Sequence, residues 1–406
     1  MFDQLSKQLD FPFKRNGALV VCFEEENLPK LYDLYTKGIT NGVQDLHILN
    51  ASQVKELSPN LSDEVKGALY AKTSGIVGPY EMTIAFAENA CDNGAKFVFN
   101  SKVNNIQKIE DKWLVSCENG QSFDCDIVIN CGGVYADEIN NMVNMPSFEI
   151  VARKGEYELL DKTQGYLTQH TIFQLPTKMG KGILVTPTCH GNTLIGPTAD
   201  DIDDKTNVAN TISGLNTAFT LGQKSIPSLN KRFIIKQFSG LRAHSSNDDF
   251  IIEWANDSFF NVGGIASPGL TAAPAIGQYV AQEISTQLNL TKNSNFNPIR
   301  KGIPCFATMS DTERQQIIAK NPLYGNIVCK CELVTEGEIV DSITRTLGAT
   351  DLDGIKRRTR YSMGKCQGGF CTAPAMELLA KHTNLKMTDI DLCGTNSKVL
   401  VGRVKQ

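Results

Sequence analysis

Cys329-Lys-Cys331 and, after 34 intervening residues, Cys366-Gln-Gly-Gly-Phe-Cys371 bring four thiols into two close pairs. Four thiolates so arranged suit a zinc ion or a 2Fe–2S cluster. Structural zinc sites favour two to four residues between paired cysteines, so the single-residue gap of Cys329-Lys-Cys331 is less typical of zinc. Gly364, Gly368 and Gly369 let the backbone turn tightly and approach a ligand closely. Four free buried thiols are the plain alternative. The other cysteines among the chain's twelve are scattered, as at Cys22, Cys91, Cys117 and Cys189.

Three further stretches carry residue types suited to binding. Asp126-Ile-Val-Ile-Asn130 is an apolar strand running into Gly132 and Gly133. Two glycines there admit a cofactor where a side chain would block it, or simply turn a strand into a helix. Asn261-Val-Gly-Gly264 leads through Pro268 to Gly269, Leu270 and Thr271. A glycine-rich turn that opens a helix aims free amides at a negative group. Ser239-Gly-Leu-Arg-Ala243 places Arg242 where a guanidinium fork could take a carboxylate or phosphate, against the plainer reading of a surface ion pair. His244 follows as a proton shuttle or a structural histidine. Lys154 could meet an anion or be solvated; His47, His170 and His190 have no supporting context.

The elements that must position these residues are legible in part. Met1, Phe2, Leu5 and Leu9 recur at helical spacing. Gly17–Phe23 reads as a buried strand, Asn27–Gly38 as a helix, Pro79–Gly94 as a helix and Lys96–Phe99 as a strand. Asn119-Gly120 is a hairpin signal between two strands. From Val151 to Leu241 short strands alternate with Gly, Pro and Asn turns, which suggests an antiparallel sheet. A helix of small residues follows from Ala272 to Leu288, then the polar stretch Asn289–Pro298. At 406 residues two or three domains are expected. Apolar residues at 41%, charged residues at 21% and a net charge of −4 describe an ordinary globular chain with no footprint for nucleic acid. The first residues have no apolar signal region and no run of about 18 apolar residues occurs, so a reducing, cytoplasmic protein without a membrane segment of its own is expected.

Gly325–Val340 and Lys356–Cys371 resemble the bacterioferritin-associated-ferredoxin-like (BFD-like) 2Fe–2S domain, in the version appended to anaerobic glycerol-3-phosphate dehydrogenases and related flavin oxidoreductases. The resemblance implies Cys329, Cys331, Cys366 and Cys371 as cluster ligands. Residues 1–290 resemble the D-amino-acid oxidase-like FAD oxidoreductases. It implies FAD against Gly132, Gly133, Gly263, Gly264, Gly269, Leu270 and Thr271, with Arg242 holding an anionic substrate and His244 as a catalytic candidate. The implied fold is α/β and α+β: an FAD/NAD(P)-binding-type domain with an inserted antiparallel-sheet substrate domain over 1–290, a linker over 291–320 and a small helical 2Fe–2S domain over 321–388. That family opens with a strand and a Gly-x-Gly-x-x-Gly turn, which this sequence does not contain. The expectation is therefore a chain lacking its first βαβ unit, whether as a fragment, as a paralogue that lost FAD, or as one of two polypeptides. The implied activity is FAD-dependent oxidation of a small anionic hydroxy compound. Glycerol 3-phosphate is the first expectation and a 2-hydroxy acid such as 2-hydroxyglutarate the second. Electrons would pass to the cluster and on to an electron-acceptor protein or second subunit. The alternative is an inactive paralogue serving only as an iron–sulfur carrier.

Overall fold

The computed structural model describes residues 1–143, 147–176 and 182–402. Its organising element is the strand Ile150–Leu160, most of whose residues are buried. It pairs antiparallel with Ile234–Ser245 along nearly its whole length, and with Thr193–Gly196 and Asp200–Ile202 on its other side. The expected antiparallel sheet is thus present. It also reaches further than the turn pattern indicated, because Thr171–Gln174 pairs parallel with Ala18–Cys22 and brings Gly67–Ala71 and Leu46–Asn50 into the same sheet. Branched side chains of these strands make one face of the main core: Val21, Leu160, Ile172, Val185 and Ile195 are wholly buried. Helix Ile212–Ser225 covers them with Ala218 and Phe219. At about 1.5–3 kcal/mol per buried side chain, this layer outweighs any local propensity in holding the strands together.

A second sheet carries the glycine loops. Phe259–Gly263 lies antiparallel to Ile251–Asn256 and parallel to Val128–Asn130, which forms the edge. The Asn119-Gly120 hairpin forms as expected, with Gly120 at φ 83°, a left-handed conformation that glycine adopts without strain.

Several expectations are corrected. Lys96–Phe99 forms no strand; Phe97, Val98 and Phe99 stand exposed, and no described strand pairs with them. Residues apolar enough for a strand do not make one without a ladder partner. The small-residue helix begins at Gly269 and ends at Gln287, and only Gly269 and Val280 of it are buried. The stretch 291–320 is more than a tether. Ser310 and Glu313 form a capping box that starts helix Asp311–Lys320, and Arg300 is buried.

The C-terminal part is a knot of three short helices, Glu336–Thr344, Leu352–Thr359 and Thr372–Thr383, around Ile339, Leu352, Ile355, Tyr361 and Leu379. It is docked on the rest of the chain by buried charge. Glu88, on helix Pro79–Asp92, takes Arg300 at 2.6 Å and Arg345 at 3.1 Å. Glu332, 3% exposed, takes Lys162 at 2.7 Å and Arg360 at 3.0 Å, and Arg360 also reaches Asn192. Among the described residues no helix is long and apolar enough to cross a membrane.

Candidate flavin and iron–sulfur sites

The four cysteines come from two hairpin-like loops. Cys329 ends the strand Ile327–Cys329, and Cys371 caps the N-terminus of helix Thr372–Thr383. Between Cys366 and Cys371 the chain turns through Gln367 at φ 48° and Gly368 at φ 90°. A Cβ on Gly364 would stand 2.4 Å from Cys331 Cβ, so only glycine lets the two loops close. Cys329 hydrogen-bonds Cys371, and Cys331 hydrogen-bonds Cys366. The bond from Cys371, against the opposing effect of burial, pulls the Cys329 thiol down to about 6, and the same bond pushes the Cys371 thiol up. Burial works against ionisation of Cys366, but Cys331 and the amides of Gly368, Gly369 and Phe370 hold its thiol below the ordinary value. Thiolates stabilised by amide donors are the form that binds iron.

Among the described residues, no three His, Cys, Asp or Glu side chains gather closely enough for one metal ion. The thiols meet two by two. Two irons that each take two thiolates match this arrangement; one tetrahedral zinc drawing on all four would need them to converge on one point. The residues therefore fit a 2Fe–2S cluster.

On the flavin side, three buried asparagines tie the glycine loops together. Asn130 donates to Ala136 O at 2.8 Å and to Asn261 Oδ1 at 2.9 Å, and Asn261 donates to Asn140 Oδ1 at 2.8 Å. Asn130 precedes Gly132 and Asn261 precedes Gly263, so this ladder sets the spacing of both turns. Gly133, at φ 59° with open space where a Cβ would be, presents bare backbone. Gly132 and Gly264 are small for packing: a Cβ would meet Ile139 at 2.5 Å and Ser245 at 2.8 Å respectively. Gly263 lies against Phe148, and Gly269, Leu270 and Thr271 form the first turn of the long helix. Between that helix and the edge strand runs an apolar groove of about 600 Å³, lined by Ile129, Cys131, Val262, Ile265, Ala273 and Ile276. Open backbone and an apolar wall fit the ring end of a flavin. The residues that would cradle its pyrophosphate are not among the motifs of this sequence.

The substrate-side candidates meet these loops. Arg242 and His244 are two apart on the strand Ile234–Ser245 and so share a face. The Gly133–Tyr135 turn packs on that strand, and its last residue, Ser245, abuts Gly264. Arg242 donates to Thr198 O at 2.7 Å and Arg153 O at 3.4 Å. Its neighbour Arg153 is matched by Asp201 at 2.6 Å, whereas Arg242 has no carboxylate within ion-pair distance among the described residues. Burial lowers its pKa, the mark of a cation short of compensation. Gly155, on the strand beside it, is small for packing: a Cβ there would lie 2.8 Å from Pro197 Cβ and 3.2 Å from Thr198 O, the carbonyl that Arg242 bonds. His244 Nε2 lies 3.2 Å from Asp248 Oδ1.

Lys154, read from sequence as anion-binding or solvated, is neither; it is buried, donates to Ala209 O and lies 3.7 Å from Glu156. His190, which had no context in sequence, pairs with Glu81 at 2.8 Å. Glu332 was missed although it adjoins Cys331, because a lone glutamate beside a cysteine carries no spacing signal. Glu88 and the asparagine ladder were missed because their partners lie far along the chain.

The paired glycine loops, the antiparallel sheet beside them and the thiol pairs define a flavin-dependent oxidoreductase with an appended iron–sulfur domain. The chain belongs to the FAD dependent oxidoreductase family, matched over residues 1–283, and carries a BFD-like [2Fe-2S] binding domain over residues 327–381. Its cofactors are FAD and a 2Fe–2S cluster. A glycerol 3-phosphate dehydrogenase of Caloramator mitchellensis is 47% identical over 408 residues, spanning 100% of this chain and 85% of that protein. A glycerol 3-phosphate oxidase of Mycoplasma genitalium is 32% identical, over 72% of this chain and 78% of that protein. In structure, the dithionite-reduced L-alpha-glycerophosphate oxidase of Mycoplasma pneumoniae with FAD bound matches with a TM-score of 0.67 and 30% identity, over 71% of this chain and 77% of that one.

Proposed function

We propose that this chain is a glycerol 3-phosphate dehydrogenase that passes the substrate's electrons to its own 2Fe–2S cluster. The observation that carries the substrate is Arg242, a half-buried cation with no carboxylate in ion-pair distance among the described residues, on the strand against which both glycine loops pack. FAD, when bound, supplies the acceptor for hydride from the carbinol carbon. Arg242 takes the phosphate in a charge-assisted fork, and its bonds to Thr198 O and Arg153 O hold the guanidinium in place. Tyr157, stacked on Phe238 at 5.2 Å, walls that side. His244, with Nε2 facing Asp248, receives the hydroxyl proton on Nδ1. The relatives named glycerol 3-phosphate dehydrogenase and oxidase support the phosphate reading.

The test is anaerobic turnover of FAD-loaded protein with glycerol 3-phosphate, 2-hydroxyglutarate and glycerol, followed by bleaching of the cluster absorbance. Glycerol 3-phosphate should give the highest kcat/KM and reduce the cluster. Equal turnover of glycerol would overturn the phosphate assignment, and a cluster that stays oxidised would overturn the electron path. A second reading rests on one observation: no Gly-x-Gly-x-x-Gly turn occurs within residues 1–406. In that reading these residues serve only as an iron–sulfur carrier. A visible spectrum of the purified chain with cluster bands and no flavin bands, unchanged by added FAD, would favour it.

A further inference from the structure

The cluster site is lopsided. Cys329 and Cys371 are 1% exposed, whereas Cys331 is exposed and Cys366 partly so. One thiol pair thus faces the protein and the other includes the solvent edge. Buried ligands shield an iron from contact with other molecules; exposed ones leave an edge at which an electron can be handed over. The residues along the two cysteine loops have an unusual character. Phe370, beside Cys371, is 87% exposed, far beyond what a ring of that size normally shows in a folded chain. Leu333, two residues from Cys331, is 40% exposed. Lys330 and Lys365 each adjoin a ligand and are exposed. The acid of this rim, Glu332, is withdrawn into the protein by Lys162 and Arg360. The result is a basic edge with an apolar ring on a chain whose net charge is −4.

We propose that Lys330, Leu333, Lys365 and Phe370 form the docking surface for a small acidic one-electron carrier protein, which takes electrons from the exposed Cys331–Cys366 edge of the cluster. The step moves one electron: the reduced cluster returns to its oxidised form as the carrier is reduced by one electron, with no bond made between them, and any proton that follows goes from solvent to the carrier. Opposite charge speeds encounter and orients it, while the apolar ring supplies contact area. The inference rests on electrons leaving through the cluster. It is separable from the substrate assignment, because the cluster can be reduced chemically.

The experiment uses the full chain with its cluster, reduced by dithionite and freed of excess reductant, then mixed in a stopped-flow instrument with an acidic flavodoxin or, separately, with basic cytochrome c. Reoxidation by flavodoxin should slow as salt rises, because screening removes the attraction. Lys330→Glu with Lys365→Glu should slow flavodoxin about tenfold or more and leave cytochrome c as fast or faster. Phe370→Ser should slow flavodoxin with its salt dependence retained. The cluster spectrum checks that each variant is assembled. Flavodoxin rates indifferent to salt in the unmodified chain, or equal losses toward both proteins in the double variant, would overturn the proposal.

Discussion

Replacing Glu88 by Gln tests how the iron–sulfur part is held to the oxidoreductase part. The carboxylate is 2% exposed, and a single oxygen, Oε2, receives Arg300 at 2.6 Å and Arg345 at 3.1 Å. These arginines come from the stretch after the long helix and from the end of helix Glu336–Thr344, so one acid joins three segments. Glutamine keeps the shape and one acceptor but leaves two guanidinium groups, 8% and 13% exposed, without their shared carboxylate, and Arg345 keeps only the looser Asp341 at 3.7 Å. Stripping one partner from a buried ion pair costs ~3–5 kcal/mol. Both arginines keep carbonyl acceptors, Arg300 at Leu9 and Asp10 and Arg345 at Lys301, which places the cost near the lower end, at about 3 kcal/mol. With a urea m-value of ~3 kcal/mol/M, the transition should move by about 1 M. Both tryptophans, Trp113 and Trp254, lie in the oxidoreductase part, while cluster absorbance reports the C-terminal part. Urea titration read by both signals should show cluster loss shifted more than tryptophan fluorescence. Adding Arg345→Met should recover part of the loss, since one stranded cation is removed. A shift well under 1 kcal/mol in both signals would refute the reasoning, as would equal shifts in the two.

Arg242→Met should lower kcat/KM for glycerol 3-phosphate about a hundredfold, the loss of ~3 kcal/mol of charge-assisted bonding, while leaving glycerol turnover nearly unchanged. Glu81 is half-buried, and its loss of solvation alone would raise its pKa, yet His190 holds the carboxyl below its ordinary value of 4.5. A depressed carboxyl stabilises the fold above the unfolded pKa and loses that contribution as pH falls through the folded one. The Tm advantage of the unmodified chain over Glu81→Gln should therefore be full near neutrality and shrink below about pH 4.5. Gly133→Ala introduces a left-handed alanine without a clash, so it should cost ~1–2 kcal/mol in urea unfolding yet reduce flavin content, with the cluster spectrum intact. Cys331→Ser should abolish the cluster absorbance and iron content while tryptophan-monitored unfolding stays within about 1 kcal/mol, because the side chain is exposed and supports no core.

Motifs whose meaning lies in local spacing were legible without a structure. The two cysteine pairs, the glycine turns and the hairpin at Asn119-Gly120 each depend on a few adjacent residues, and each chemistry is set by residue type. Arg242 was legible only beside a resemblance, and the sequence could not say whether its charge was already matched. Lys96–Phe99 has the apolar character of a strand, but no strand among the described residues lies beside it to pair with. For Lys154 the sequence allows anion binding or solvation, and burial beside Glu156 replaces both.

The sequence by itself determined where four thiols and two glycine-rich turns stand, and the resemblance those motifs carry pointed to the cofactor types. Tertiary structure decided which charges are matched and which are free. Glu88 meets Arg300 and Arg345, Glu332 meets Lys162 and Arg360, and among the described residues Arg242 is left without an acid in ion-pair distance. It also decided which thiol pair includes the solvent edge. The physical reason is that a local motif is fixed by short-range covalent geometry, whereas compensation and burial depend on contacts between distant residues, as between Glu88 and Arg300, 212 positions apart.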